Sequence, residues 1–243
     1  MPDTLFVTRI MNHLFGGFAA WALHLVGISA NPATAINDTF ALELLVAFGL
    51  IAFFILVRLT LSVEKPGPVQ QVAEMVYEFT GGQGEQIIGH EHERFQAFVT
   101  CILLFVLLNN LMGLFPRVVT PTSQPIVPLG IAVLTFIYYN YHAFRVQGFI
   151  GYMKHLAGPL WWVAPLLFPI EIISHLARVM SLTIRLYANM LASDLLTLVF
   201  FSMVPIVIPS LFLGLHFAVA VIQAYVFMLL AMIYLAQAVA HDH

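Results

Sequence analysis

Apolar residues run through this chain in long stretches, with polar residues between them or in narrow files along one helical face. Near the N-terminus Val7, Ile10, Leu14, Phe18, Trp21, Leu25 and Ile28 recur at helical spacing, with Arg9, Asn12, His13 and His24 elsewhere. This pattern predicts an amphipathic helix at an interface. His13 and His24 interrupt what would be the apolar core of a cleavable leader, so segment 1–39 is expected to be retained. A single membrane domain is expected over 40–243. Its first span, 40–63, is long enough to cross about 30 Å of hydrocarbon and is closed by Lys65-Pro66-Gly67-Pro68. Residues 69–88 put Val72, Val76 and Phe79 on one side and Gln70, Gln71, Glu74, Glu78 and Glu85 elsewhere, which predicts a surface helix. Two further spans, 95–116 and 126–146, are joined by a short loop, Arg117 to Pro125, and are expected to be antiparallel neighbours.

The rest of the chain reads as a hairpin of two long helices, about 160–204 and 206–240. From Ile170 to Val204 there is no Gly or Pro, so nothing marks a turn. As one helix this stretch measures roughly 52 Å against about 30 Å of hydrocarbon, implying a tilt of about 55°. Pro205 and Pro209 supply the break before the return helix.

Composition agrees with this pattern. Hydrophobic residues make up 61% and charged residues 9%, and the mean hydropathy is +0.94. These values describe an integral membrane protein, and backbone polar groups in hydrocarbon must be satisfied within the chain, so the fold class is all-α. A net charge of −3 offers no basic stripe for nucleic acid, and one cysteine, Cys101, excludes an intrachain disulfide or cysteine cluster. Arg58, Lys65, Arg94, Arg145 and Lys154 fall on one side of the predicted bundle, against Arg9 and Arg117 on the other. The cation-rich side is expected to be cytoplasmic, with the N-terminus outside.

Along the first long helix Glu171, His175, Arg178, Leu182, Arg185 and Asn189 follow in steps of four and three, so they share one face. Each charge at membrane depth costs about 2.5 to 3.5 kcal/mol on insertion scales. Such a file needs water or a partner. His216 and Gln223 share a face of the second helix. In a hairpin turning near Pro205, Asp194 lies opposite His216, and Arg185 lies close to Gln223. Any one of His175, Asn189, His216 or Gln223 alone reads as interhelical hydrogen-bonding glue. Arg185 differs: Asp194, its nearest carboxylate in sequence, is nine residues away on the opposite helix face. Its counter-charge is expected from another chain.

Other polar groups carry less. His90-Glu91-His92-Glu93 lacks convincing metal-ligand spacing and reads as a solvated loop, as does the His241-Asp242-His243 tail. Asn109, Asn110, Asn140 and His142 read as interhelical hydrogen-bond formers. There is no phosphate loop, nucleophilic triad or zinc motif, so neither a catalytic site of the chain's own nor a cofactor is expected.

The stretch Ser181-Leu182-Thr183-Ile184-Arg185-Leu186-Tyr187-Ala188-Asn189-Met190, followed by Asp194, resembles the signature of F-type ATP synthase subunit a. Asn110-Leu111-Met112-Gly113-Leu114-Phe115-Pro116, Pro121-Thr122 and Gln223-Ala224-Tyr225-Val226-Phe227-Met228 extend the resemblance over about Phe95 to Ala240. It implies a stator subunit of the Fo sector in a bacterial inner membrane, beside a ring of c subunits, with peripheral-stalk b subunits, other synthase subunits and lipid as partners. It further implies two offset aqueous half-channels. Arg185 corresponds to the family's essential arginine, with Asn189 and Gln223 beside it. Asp194 stands where many members carry Glu and, with His216, would line the external half-channel. Glu171, with His175 as companion, would lie towards the cytoplasmic one, and Arg178 matches an often basic position.

A rotor carboxylate crosses lipid cheaply only when protonated, so protonation would gate rotation. Beside an arginine that stays protonated, the carboxylate would release its proton to the exit path. A free-standing ion transporter and a non-conducting structural subunit are the competing classes, separated by whether the chain co-purifies with a rotor ring and whether it transports alone.

Overall fold

The computed structural model describes residues 5–25, 31–32, 34–62, 65–89, 91–115, 118–157, 164–203 and 207–239. The tail 241–243, His90, Pro116, Arg117 and Pro205 lie outside the described residues. Every regular element among the described residues is helical, and five helices are long and apolar enough to cross a membrane.

Helix α1 (Phe6–Leu25) leans on the start of α2 (Asp38–Leu59). Met11, Ile36 and Ala41 form a small core there. The Asn12 side chain donates to the Ile36 carbonyl at 2.9 Å and accepts from its N–H at 3.0 Å. Asp38 accepts from the Leu5 N–H and the Thr8 hydroxyl. Asn37 caps α2, accepting from the Phe40 N–H at 2.8 Å, a standard use of Asn where a helix begins. Only Ala41, Leu42 and Val46 of α2 are buried, and most of its length is uncovered apolar surface.

Pro68, with no N–H to satisfy, opens α3 (Pro68–Ile87). It is joined to α4 (His92–Leu111) by polar contacts: Thr80 to Thr100 at 2.8 Å, and the Gln96 amide to the Tyr77 carbonyl at 2.7 Å. His92 and Glu93 belong to the first turn of α4 rather than to a solvated loop, and the His92 ring bonds the Gly89 carbonyl, which ties down the helix start. A 3₁₀ turn, Met112–Leu114, ends α4, and a second, Pro121–Ser123, precedes α5 (Ile126–Ala157). Helix α5 is regular to Val146 and breaks at Gly148, where φ is +71° and ψ 164°.

Helices α6 (Ala164–Met203, 40 residues) and α7 (Val207–Val239, 33 residues) form the hairpin. Water does not drive helices together inside a bilayer, so close approach and hydrogen bonds must do so. Helix α7 supplies small residues for this: Ala220, Ala224 and Ala231 are fully buried on the same face as Phe227, Met228 and Leu235. Leu182, Leu186 and Met190, four apart on α6, are buried with them, together with Phe95, Val99 and Val106 of α4. The core therefore lies where α4, α5, α6 and α7 meet. The rest of α6 is open: Leu176, Met180, Ile184, Leu195 and Leu198 are exposed.

Candidate functional site

Three polar groups follow one another along α6. The first forms where α6, α7 and the segment between α4 and α5 meet. Asp194 Oδ1 accepts from Thr120 Oγ1 at 2.7 Å and lies 3.6 Å from His216 Nδ1. His216 is 1% exposed. Its Nε2 faces the Asn110 carbonyl at 3.1 Å, and its Nδ1 faces Ser193 Oγ at 2.9 Å. A carbonyl only accepts, so Nε2 carries a proton, and in the neutral ring Nδ1 accepts from the serine. Protonation of Nδ1 would instead turn a second N–H towards the Asp194 carboxylate. Asn110 completes the cluster, accepting from Thr122 Oγ1 at 2.6 Å and donating to the Ala220 carbonyl at 3.3 Å. Asp194 Oδ2 is buried and has no hydrogen-bond partner among the described residues.

The cluster is this tight because residue 113 is a glycine. A Cβ there would come within 2.0 Å of Thr120 Oγ1 and 2.9 Å of two His216 ring atoms.

The middle group holds Arg185, Asn189 and Gln223. Asn189 Nδ2 donates to Gln223 Oε1 at 2.8 Å. The sequence pairs Gln223 with Arg185. In the structure the amide reaches one turn further, where Gln223 Oε1 accepts from Asn189. Arg185 is partly exposed, and its hydrogen bond is to Ser181 Oγ at 3.4 Å on its own helix. No carboxylate pairs with it among the described residues.

The third group lies towards the start of α6. Glu171 Oε1 is 3.7 Å from His175 Nε2 and 3.9 Å from Arg178 Nη2. Tyr139, from α5 and 3% exposed, meets His175 Nδ1 through its hydroxyl at 2.8 Å. The Arg178 guanidinium also sits 5.4 Å from the Tyr234 ring centroid, a cation–π contact that ties this group to α7.

The sequence reading omits Thr120, Thr122, Ser193 and Tyr139 from the site. Hydroxyls in a membrane bundle resemble ordinary helix contacts, and only Ser193, next to Asp194, had a signal in its position. Of the four groups read as interhelical bonders, Asn110 reaches α7, whereas Asn109 and His142 bond carbonyls of their own helices, those of Phe105 and Tyr138.

Fold and site together define a multi-pass α-helical membrane protein with a polar seam along one long helical hairpin. The sequence profile of the ATP synthase A chain family matches residues 40–236. ATP synthase subunit a of Koribacter versatilis is 46% identical over the full length of both chains. That of Solibacter usitatus is 45% identical over 83% of this chain and 87% of its own, and that of Bdellovibrio bacteriovorus 37% identical over 71% and 75%. The chain belongs to the ATP synthase subunit a family, the membrane subunits of a complex that couples ion transport to ATP synthesis.

Proposed function

We propose that this chain is the proton-translocating stator subunit of the Fo sector, with the N-terminus outside the bacterial inner membrane and the C-terminus in the cytoplasm. The carrying observation is the order of polar groups along α6. Arg185 stands between two titratable clusters, with Asp194 about 13 Å beyond it and Glu171 about 21 Å before it at 1.5 Å per residue. Groups so far apart cannot pass a proton directly, which suits two offset half-channels.

The external path ends at the Asp194 and His216 cluster. A buried carboxylate oxygen with no hydrogen-bond donor is costly unless it is hydrated or takes up a proton, which makes Asp194 Oδ2 the accepting atom. His216 then has the alternative proton positions a relay requires. From there the proton passes to a carboxylate on the c-ring. The protonated rotor group turns through lipid and returns on the far side of Arg185. There the guanidinium favours its ionised form, and the proton leaves by Glu171 and His175. Arg185 remains charged throughout, so it holds the rotor carboxylate without relaying protons, and it bars a direct leak. Gln223 and Asn189 secure each other beside it, leaving the guanidinium to the rotor. The open apolar face of α6 is the surface the c-ring covers, and the uncovered length of α2 suits the peripheral-stalk b subunits.

Arg185→Ala tests the reading. In assembled complexes reconstituted into vesicles, ATP synthesis driven by an imposed proton gradient should fall below detection. Synthesis at the wild-type rate would exclude the stator role.

A further inference from the structure

Where α1 lies against the head of α2, the two helices and the start of α5 enclose a cavity of about 730 Å³. That volume lies within the range of small-molecule sites. Phe15, Phe18, Phe40 and Phe48 contribute to its wall, and Phe15 stacks on Phe48 with centroids 5.7 Å apart. Glu43 is the single acid among the described residues that face the space. It is half-buried, and its carboxylate has no hydrogen-bond or ion-pair partner among the described residues. No lysine or arginine is among the described residues that line the cavity.

This lining selects its ligand by charge. A carboxylate among phenylalanine rings attracts a cation by Coulomb attraction, strengthened where the apolar rings keep water away. The apolar wall requires an apolar body on the same molecule. A phospholipid headgroup fits poorly, because its phosphate would find no cation among the described wall residues. We propose that the cavity binds an amphiphilic monocation: an aromatic or aliphatic body with one ammonium group, the ammonium seated at Glu43 among the phenylalanines. Helix α1 is amphipathic, and the cavity opens between it and a membrane span, so it lies at the depth where such cations partition. The proposal does not depend on the stator reading, since binding here involves neither Arg185 nor a rotor.

The test uses the full chain in phosphatidylcholine nanodiscs, with trimethyl(1-naphthylmethyl)ammonium as probe and its uncharged carbon isostere, 1-neopentylnaphthalene, as control. The probe should bind saturably, and Glu43→Gln should weaken it about tenfold, as expected for loss of a partly desolvated cation contact. Phe48→Ala should weaken it about threefold through the apolar wall it removes. Glu43→Asp, which keeps the charge, should retain binding, and the isostere should not distinguish wild type from Glu43→Gln. Equal probe affinity for wild type and Glu43→Gln would overturn the proposal. So would displacement of the probe by phosphatidylethanolamine, which would make the cavity a lipid headgroup site.

Discussion

Gly113 takes part in no hydrogen bond of the Asp194 and His216 cluster, yet that cluster exists only because the residue lacks a side chain. Alanine there would press on Thr120 Oγ1, the donor to Asp194, and on the His216 ring. Overpacking of this kind costs about 1 to 3 kcal/mol. We expect Gly113→Ala to slow gradient-driven proton flux about tenfold in assembled complexes while ATP hydrolysis by the soluble head persists; undiminished flux would show that the cluster lies off the path. Tyr139 has the matching role at the other end of the seam. Its hydroxyl fixes the His175 ring so that Nε2 faces Glu171. Tyr139→Phe removes one buried hydrogen bond, worth about 1 kcal/mol, and should slow flux about fivefold. His175→Ala made in the Tyr139→Phe background should add little further loss, a non-additivity that vesicle flux assays can read. Tyr139 shows where sequence reasoning stopped, and Gly113 entered it only as part of a family-like segment, without its steric role. Arg185, Asp194 and His216 declare themselves because charge and imidazole are rare at membrane depth. Gly113 and Tyr139 belong to residue types common in such helices, and their importance comes from neighbours distant in sequence.

The hairpin was legible at the scale of the element. Its helices are long and its turn is marked by prolines, so one fold-back point aligns the two over many residues. That register brings Asp194 to His216. It is accurate to about a turn, and hence Gln223 meets Asn189 rather than Arg185. The segment between α4 and α5 was not legible in this way, since Thr120 lies outside any regular element and Thr122 sits in a 3₁₀ turn too short to show a period. Helix α5 holds a further element-scale feature. Gly148, at φ +71° and ψ 164°, occupies a region of backbone space essentially reserved for glycine, where a side chain costs about 1 to 3 kcal/mol. Gly148→Ala should therefore lower the thermal midpoint of the purified protein. Alanine at the neighbouring exposed position, Arg145→Ala, should leave it nearly unchanged, and equal midpoints for the two variants would refute the backbone argument.

For the whole molecule, the N-terminal helix is the most lightly attached part. A small core and a few polar contacts fasten α1 to α2, and Asp38 receives two of them. Asp38→Ala removes both acceptors, at about 1 to 2 kcal/mol, so amide exchange along α1 should accelerate about tenfold while exchange in α4 and α7 is unaffected. Unchanged exchange in α1 would assign its attachment to the Asn12 and Ile36 bonds instead.

The unbroken length of α6 has a mechanical consequence. A beam loaded sideways bends at its weakest section, and in a helix that section is a missing rung of the hydrogen-bond ladder. The prolines of helix α6, Pro165 and Pro169, both lie close to its start, and none follows from Ile170 to Met203. If a moving rotor pulls on Arg185, intact ladder carries the load on both sides of the point of attack. The elastic give of such a machine would then lie outside this helix, and energy stored between steps would be stored elsewhere.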